Sequence, residues 1–264
     1  MTVSVIITTR NEEADLERCL KSLLRQNTSE KIEIIAVDNN SSDSTKKIAR
    51  RYTRNVHNIG PERSAQRNFG IEHSNGNNVL ILDADMELSQ TVIDDCLKSI
   101  RKHDAVIIPE FYSGNGFWTM CKILEKETYR NSGEGEAARF FRRAVLRKAK
   151  GYDETLTGPE DIDLHKRILR MGCRVGRVGS FITHHEGKLS LRSIVRKRYY
   201  YSKNLREYLI KNRNEPKGEM RFFREAYLKN WKLFARDPLH TFGFLIMRIG
   251  EGLAVILALL RSRK

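Results

Sequence analysis

Residues 79–86 read Val79-Leu80-Ile81-Leu82-Asp83-Ala84-Asp85-Met86, an apolar run followed by two aspartates that flank one alanine. Such a short apolar run is typical of a strand buried on both faces of a parallel sheet. Side chains two residues apart in a strand point to the same side, so Asp83 and Asp85 are expected together at its carboxyl end. Two such carboxylates repel each other unless a cation or a basic group lies between them, and hard oxygen ligands suit Mg²⁺ or Mn²⁺. The pattern predicts metal-assisted binding of a phosphorylated ligand. A solvated acidic turn is the alternative.

Other predicted strands also end in polar residues. Residues 3–8 and 32–38 are predicted strands, and helices are predicted between the strands, the first with apolar positions at i, i+3, i+4 and i+7. This alternation predicts an α/β fold with a doubly wound, mainly parallel sheet. Ligands of such sheets bind outside the carboxyl ends of the strands. The candidate site residues at these ends are Arg10, Glu12, Asp38, Asp83 and Asp85.

These polar groups suit a nucleotide. Asp38 and Glu12 offer acceptors for base N–H groups and ribose hydroxyls, and Arg67 offers a cation for the phosphates. The sequence contains no G-x-G-x-x-G and no G-x-x-x-x-G-K-[ST] motif, which disfavours dinucleotide and P-loop binding. Arg139, on a short predicted strand, is either a phosphate contact or the partner of a structural ion pair.

Composition indicates a single α/β domain with an appendage. The chain has 264 residues, of which 40% are hydrophobic, and its four cysteines are widely spaced without a C-x-x-C pair, as in reduced intracellular proteins. The net charge is +15, and residues 191–264 hold 18 Lys and Arg against 6 Asp and Glu. This basic segment predicts an anionic partner, either nucleic acid or an acidic membrane surface.

Five motifs, in this order, resemble those of glycosyltransferase family 2, the inverting sugar transferases with the GT-A fold. They are Val5-Ile6-Ile7-Thr8-Thr9-Arg10-Asn11-Glu12, Val37-Asp38-Asn39-Asn40-Ser41-Ser42-Asp43, Arg67-Asn68-Phe69-Gly70, Leu82-Asp83-Ala84-Asp85 and Gly158-Pro159-Glu160-Asp161-Ile162-Asp163-Leu164. The resemblance covers about residues 2–205. It implies a UDP- or GDP-linked sugar as the donor. It further implies Thr8, Glu12 and Asp38 at the nucleotide, Asp83 near ribose and metal, and Asp85 as a direct ligand of Mn²⁺ or Mg²⁺.

The acidic stretch after Pro159 is expected to begin a helix. Inverting sugar transfer requires a carboxylate that takes the proton from the acceptor hydroxyl. The family resemblance implies that Asp161 is this base, with Glu160 beside it and Asp163 in support. The alternative is that these acids only favour the helix start.

Two histidines follow a strand predicted over residues 173–182. Relatives in the family place a histidine here as a further metal ligand, and strand alternation lets only one of the pair face the site. We favour His184 over His185.

Arginines and tyrosines interleave between residues 196 and 203. This pattern is compatible with single-stranded nucleic-acid binding. The family resemblance instead implies a segment that closes over the diphosphate, and we prefer this interpretation for Arg198 and Lys203.

We divide the chain into a GT-A domain over residues 1–210 and a basic, apolar helical tail over residues 211–264. Residues 1–110 form the expected nucleotide-sugar half, and residues 111–210 form the expected acceptor half. The aromatic and apolar residues 111–129 are expected to be a helix, which either lies near the acceptor site or only packs in the core. Residues 242–260 are apolar except for Arg248 and Glu251, which share a helical face and can pair. An interfacial helix or a tilted, packed span fits this pattern better than a free single span. A soluble helical subdomain is the alternative.

The sequence therefore predicts a metal-dependent inverting glycosyltransferase at the cytoplasmic face of the cell membrane. Its acceptor is expected to be a saccharide or a polyprenyl-linked compound, and nucleic acid is disfavoured as a partner. Two alternatives stay open. A sugar-phosphate nucleotidyltransferase normally begins with a Gly-rich loop, which residues 8–12 lack. A non-catalytic, basic nucleic-acid-binding protein would also explain the charge.

Overall fold

The structure is a computed structural model that describes residues 2–130, 136–203, 205, 210 and 225–261. The first elements are β1 (Thr2–Thr9), α1 (Leu16–Leu24), β2 (Lys31–Asp38), α2 (Thr45–Arg50), β3 (Val56–Asn58), α3 (Arg63–Glu72), β4 (Asn78–Asp83), β5 (Met86–Leu88), α4 (Val92–Ser99) and β6 (Ala105–Ile107). They are followed by β7 (Glu110–Asn115), α5 (Phe117–Tyr129), β8 (Phe140–Arg142), α6 (Arg143–Lys148), α7 (Glu160–Arg170), β9 (Val175–Arg177), β10 (Ile182–Lys188), α8 (Leu191–Tyr201), α9 (Trp231–Arg236) and α10 (Pro238–Arg261).

The main sheet contains seven strands in the order β3-β2-β1-β4-β8-β6-β9. Its strands run parallel to their neighbours except for β8, which is antiparallel to both β4 and β6. The prediction of an α/β fold with a mainly parallel sheet is confirmed.

Helices cover both faces of this sheet. Apolar residues of α1, α2 and α4 pack on one face with Val5, Ile7 and Leu82. Apolar residues of α3, α6 and α7 pack on the other face with Ile6 and Ile81. Alternate residues of β1 and β4 thus enter opposite cores, which explains the consecutive apolar residues Val5-Ile6-Ile7 and Val79-Leu80-Ile81-Leu82 in these strands.

The register brings the carboxyl ends of the central strands level. Thr9 of β1 pairs with Asp38 of β2, and Thr8 of β1 pairs with Asp83 of β4. Strand β6 points in the same direction as β4 because both are antiparallel to β8, and Glu110 follows it closely. Polar residues that end separate strands therefore meet at one edge of the sheet.

Strands β5, β10 and β7 form a smaller sheet in that order. The helix expected over residues 111–129 is present as α5 over Phe117–Tyr129, but strand β7 occupies the residues before it. Gly116 separates them with φ 91°, a backbone conformation that residues with a Cβ rarely adopt. The strand predicted over residues 173–182 was wrong. It is two shorter segments, β9 and the start of β10, and both histidines lie within β10.

The described residues group into two compact units. The first contains Met1–Phe111, Glu136–Glu154 and Glu160–His185, and the second contains Tyr112–Gly135, Thr155–Pro159 and Glu186–Lys264. The chain crosses from the first unit to the second close to the predicted boundary at residue 110, but two later segments belong to the first unit.

Within the second unit, α10 packs along α5 and α8. Cys121, Ile194, Phe244 and Met247 form the centre of this packing. By length and composition α10 could cross a membrane, with a mean hydropathy of 2.0 over its most apolar window. The predicted apolar C-terminal helix is confirmed, whereas residues 211–224 of the predicted tail lie outside the described residues.

Candidate active site

A fully buried arginine, Arg67, lies at the centre of the polar edge of the sheet. Helix α3 carries it over the ends of β1 and β4. Its Nη2 donates to Asp83 Oδ1 at 3.0 Å, and its Nη1 donates to Asp161 Oδ1 at 2.8 Å. The guanidinium also lies 5.0 Å from the ring centre of Tyr152. One cation therefore holds together the acid that ends β4 and the acid at the start of α7.

Asp83 is tied to its neighbouring strand as well. The Thr8 hydroxyl donates to Asp83 Oδ1 at 3.1 Å, which follows from their pairing in the parallel register. Burial would raise the pKa of Asp83, but the guanidinium of Arg67 outweighs burial and holds this pKa well below its usual range. Asp83 is therefore a carboxylate at neutral pH.

The three acids of the α7 start have different surroundings. Asp163 is buried and accepts a hydrogen bond from Arg167 Nε at 2.7 Å. Glu160 is buried and accepts one from Arg63 Nη2 at 2.9 Å. The side chain of Asp161 is 28% exposed. Of the three, it is the one that remains accessible to a substrate.

Asp85 belongs to a second cluster at the same edge. His184 of β10 lies with its Nε2 2.8 Å from Asp85 Oδ2 and its Nδ1 3.7 Å from Glu110 Oε2. Glu110 is also hydrogen-bonded to Arg139, whose Nη2 lies 3.9 Å from Asp83 Oδ2. The clusters around Arg67 and His184 are thus joined through Arg139.

The neighbours of His184 determine its protonation. Burial alone would lower the pKa of His184, but the contact with Asp85 and the nearby carboxylate of Glu110 raise it to about 10. Burial likewise opposes ionisation of Glu110, yet Arg139 lowers the pKa of this carboxyl below its ordinary value. Without a metal, an imidazolium therefore bridges two carboxylates.

The residues around Asp85 fit a divalent cation. Asp85 Oδ1 is buried and has no hydrogen-bond partner within the described part of the chain. A free carboxylate oxygen next to an imidazole is a donor set that Mn²⁺ accepts. Within the same residues, no three His, Cys, Asp or Glu side chains are grouped to hold a metal unaided. Such a site matches ions that are bound by one or two carboxylates together with substrate phosphates.

The two adjacent histidines point to different partners. His185 Nε2 lies 3.0 Å from Glu87 Oε2, whereas His184 contacts Asp85. This agrees with the expectation that alternation lets only one of them face the site.

The side chains that were predicted to contact the nucleotide lie at the ends of β1 and β2. Asp38 is buried and accepts hydrogen bonds from the Thr9 hydroxyl at 2.9 Å and the Ser41 amide at 2.8 Å. The Glu12 amide donates to the Thr45 hydroxyl at 2.7 Å, which ties the loop after β1 to α2. Arg10 is exposed at the end of β1.

The remaining predicted cations are in different places. Arg139 forms the ion pairs described above, and its contact with a phosphate stays a prediction. Arg198 is exposed on α8, and Lys203 follows that helix with its Nζ 5.2 Å from the Tyr200 ring centre. Both belong to the second unit, and their contact with a diphosphate stays a prediction.

Two residues of the site were missed from sequence. Glu110 follows the apolar run at residues 105–108, so the rule that selected Asp38 and Asp83 also applies to it. No sequence pattern indicated Tyr152, because its contact with Arg67 joins two segments that are distant in the sequence.

A model of the glycosyl transferase family 2 matches residues 4–153, more than half of the chain. Among curated relatives, the GalNAc(5)-diNAcBac-PP-undecaprenol beta-1,3-glucosyltransferase of Campylobacter jejuni is 26% identical over 179 residues, covering 60% of this chain and 57% of the relative. The first three curated relatives are matched over 17%, 35% and 57% of their own lengths.

Solved structures share the fold. The mannosyltransferase PcManGT from Pyrobaculum calidifontis, in complex with GDP-Man and Mn²⁺, has a TM-score of 0.64 and 20% identity, covering 98% of this chain and 86% of that one. TarS 1-349 of S. aureus, in complex with UDP-GlcNAc, has a TM-score of 0.55 and 20% identity, covering 76% and 66%. Both similarities support the GT-A architecture predicted from the sequence.

Proposed function

This chain belongs to glycosyl transferase family 2, and from its site we propose that it is an inverting glycosyltransferase. It moves a sugar from a nucleotide-diphosphate sugar to an acceptor hydroxyl or phosphate. The observation that carries this proposal is the pair of hydrogen bonds from Arg67 to Asp83 and Asp161. They hold a partly exposed carboxylate at a fixed place beside the carboxyl ends of the strands, where ligands of such sheets bind.

Asp161 is the proposed general base. In an inverting transfer the acceptor oxygen attacks the anomeric carbon on the face opposite the departing diphosphate, and a carboxylate takes the acceptor proton. Arg67 fixes one oxygen of Asp161 through the hydrogen bond from its Nη1. Glu160 and Asp163 support this arrangement from buried positions, by holding Arg63 and Arg167 around the helix start.

Asp85 and His184 are the proposed metal ligands, and Asp83 lies near the ribose and the metal. When bound, Mn²⁺ or Mg²⁺ supplies positive charge that neutralises the diphosphate as it leaves the sugar. Asp85 Oδ1 is buried and has no hydrogen-bond partner among the residues that the structure describes, which supports this assignment. The Mn²⁺ in the PcManGT complex supports it as well.

Thr8, Arg10, Glu12 and Asp38 are the proposed contacts of the nucleotide. Asp38 shapes this site through its bonds to Thr9 and Ser41, which hold the loop after β2 against β1. The ligands in the related structures, UDP-GlcNAc and GDP-Man, support a nucleotide-diphosphate sugar as the donor class.

The proposed acceptor is lipid-linked, and the protein works at the cytoplasmic face of the cell membrane. The support is the undecaprenol-linked substrate in the name of the Campylobacter jejuni relative, together with the apolar helix α10 and the basic charge around it. The family match argues against the nucleotidyltransferase and the nucleic-acid-binding alternatives.

The test is a transfer assay with a panel of UDP- and GDP-sugars, with and without Mn²⁺, on the protein and on Asp161→Asn. Loss of the base should lower transfer by roughly 10²–10⁴-fold. The donor should still raise the melting temperature of the variant, because ligand binding stabilises the folded state. Asp94→Asn, on an exposed turn of α4, is the matched control. Normal turnover by Asp161→Asn would remove Asp161 as the base.

A further inference from the structure

The outward face of α10 carries no polar side chain over about six turns. Every exposed residue from Leu239 to Leu260 is either Gly252 or a large apolar residue. We call the apolar ones the α10 stripe, and each exposes between 53% and 66% of its surface. Its members are Leu239, Phe242, Leu245, Ile249, Leu253, Ile256, Leu257 and Leu260. Large contiguous apolar patches of this kind mark an interaction surface.

The two charged residues in the middle of α10 face the opposite way. Arg248 pairs with Glu251 at 2.9 Å and with Glu125 of α5. Glu125 is buried and also accepts a hydrogen bond from the Tyr227 hydroxyl at 2.6 Å. The charges that make this segment costly as a free membrane span are therefore neutralised inside the second unit.

Basic side chains accompany the stripe in the same unit. The exposed residues include Arg192, Arg196 and Lys197 on α8, Lys229, and Lys232, Arg236 and Arg261 near the two ends of α10. Among the described residues of this unit, Glu225 is the one exposed acid. An apolar stripe with basic neighbours is complementary to a membrane surface that contains anionic lipids.

We propose that α10 lies in the plane of an anionic membrane surface, with its stripe among the acyl chains, and does not cross the bilayer. A spanning orientation would carry the charged helix α8, which packs along α10, into the hydrocarbon core, where charged side chains are costly. In the flat orientation the stripe is buried while α5 and α8 stay on the aqueous side. This inference concerns the second unit alone and requires no sugar transfer.

The first test is flotation of the full chain with vesicles of pure phosphatidylcholine or of phosphatidylcholine with phosphatidylglycerol. Binding is expected to the anionic vesicles and to weaken with salt. Ile249→Gln with Leu253→Gln should lower the partition coefficient about tenfold or more, since two apolar side chains lose their burial. Leu24→Gln with Leu169→Gln, at exposed leucines of α1 and α7, is the matched control and should leave the partition unchanged.

The second test separates lying from spanning. Single nitroxide labels at positions 242, 249 and 256 should report the same depth in the bilayer if α10 lies flat. A shallow, deep and shallow series would show that α10 spans, which overturns the proposal.

A third outcome concerns self-association. The chain could instead bind neither kind of vesicle and form a dimer that the double variant Ile249→Gln with Leu253→Gln converts to a monomer. In that case the α10 stripe is a contact between copies of the chain, and the proposal fails. Each of these measurements omits donor and acceptor, so their failure is distinct from a failure of the sugar-transfer proposal.

Discussion

Replacement of Arg67 by methionine tests whether one buried guanidinium organises the site. The substitution keeps an unbranched side chain of similar reach but removes the charge and both hydrogen bonds to Asp83 and Asp161. It leaves these two acids, together with the buried Glu160, 3.5 Å from Arg67 Nη1, without their common cation. The change therefore acts on two largely buried carboxylates, Asp83 and Glu160, and on the partly exposed Asp161.

The size of the effect follows from burial. Removing one member of a buried ion pair typically costs about 3–5 kcal/mol, because the remaining charge is left uncompensated. With a urea m-value of up to about 3 kcal/mol/M, the unfolding midpoint should fall by roughly 1–2 M. Adding Asp83→Asn should restore part of the loss, since contacting charges commonly couple by about 0.5–3 kcal/mol.

The assay is urea unfolding followed by circular dichroism, with Arg177→Met as the control. Arg177 makes two hydrogen bonds of 3.0 Å to Glu136, but this pair lies at the surface. Loss of this ion pair should lower the free energy of unfolding by less than about 1 kcal/mol. The reasoning is refuted if Arg67→Met and Arg177→Met shift the midpoint equally, or if Asp83→Asn destabilises Arg67→Met further.

Three further predictions follow from single contacts. Glu110→Gln should weaken Mn²⁺ binding about 10–100-fold, because Glu110 orients His184. Glu87→Gln alters the equivalent contact of His185 and should leave Mn²⁺ binding unchanged. Isothermal titration calorimetry measures the affinity of both variants. With a chelator present, His184→Gln should have a lower free energy of unfolding than the protein, and this difference should be largest below pH ~6.5. It should disappear as the pH rises through about 10, because two carboxylates raise the pKa of His184. A difference that does not change with pH contradicts this prediction. Gly70→Ala should lower the free energy of unfolding by about 1–3 kcal/mol, since its Cβ would lie 2.4 Å from Ile6 Cγ2. The control Gly252→Ala meets no atom of the described residues within 4 Å. Urea unfolding should show it to be neutral or stabilising.

Local patterns in the sequence determined the sheet and the edge at which the site lies. The apolar runs at residues 3–8, 32–38 and 79–82 are long enough to specify buried parallel strands, and each is followed by polar residues. Because parallel strands present their carboxyl ends at one edge, the convergence of Asp38, Asp83 and Asp85 needed no tertiary information. The apolar run over residues 242–260 of α10 was equally visible in the sequence.

Only the tertiary structure decided which charges pair. Arg67 meets Asp161, 94 residues later, because α3 packs on the sheet. Arg139 meets Glu110 because the segment that leads into β8 pairs between β4 and β6. The same holds for Arg248, since sequence spacing offered Glu251 as a partner while the fold added Glu125 from α5. Contacts between distant segments depend on how helices dock, and no local period encodes that docking.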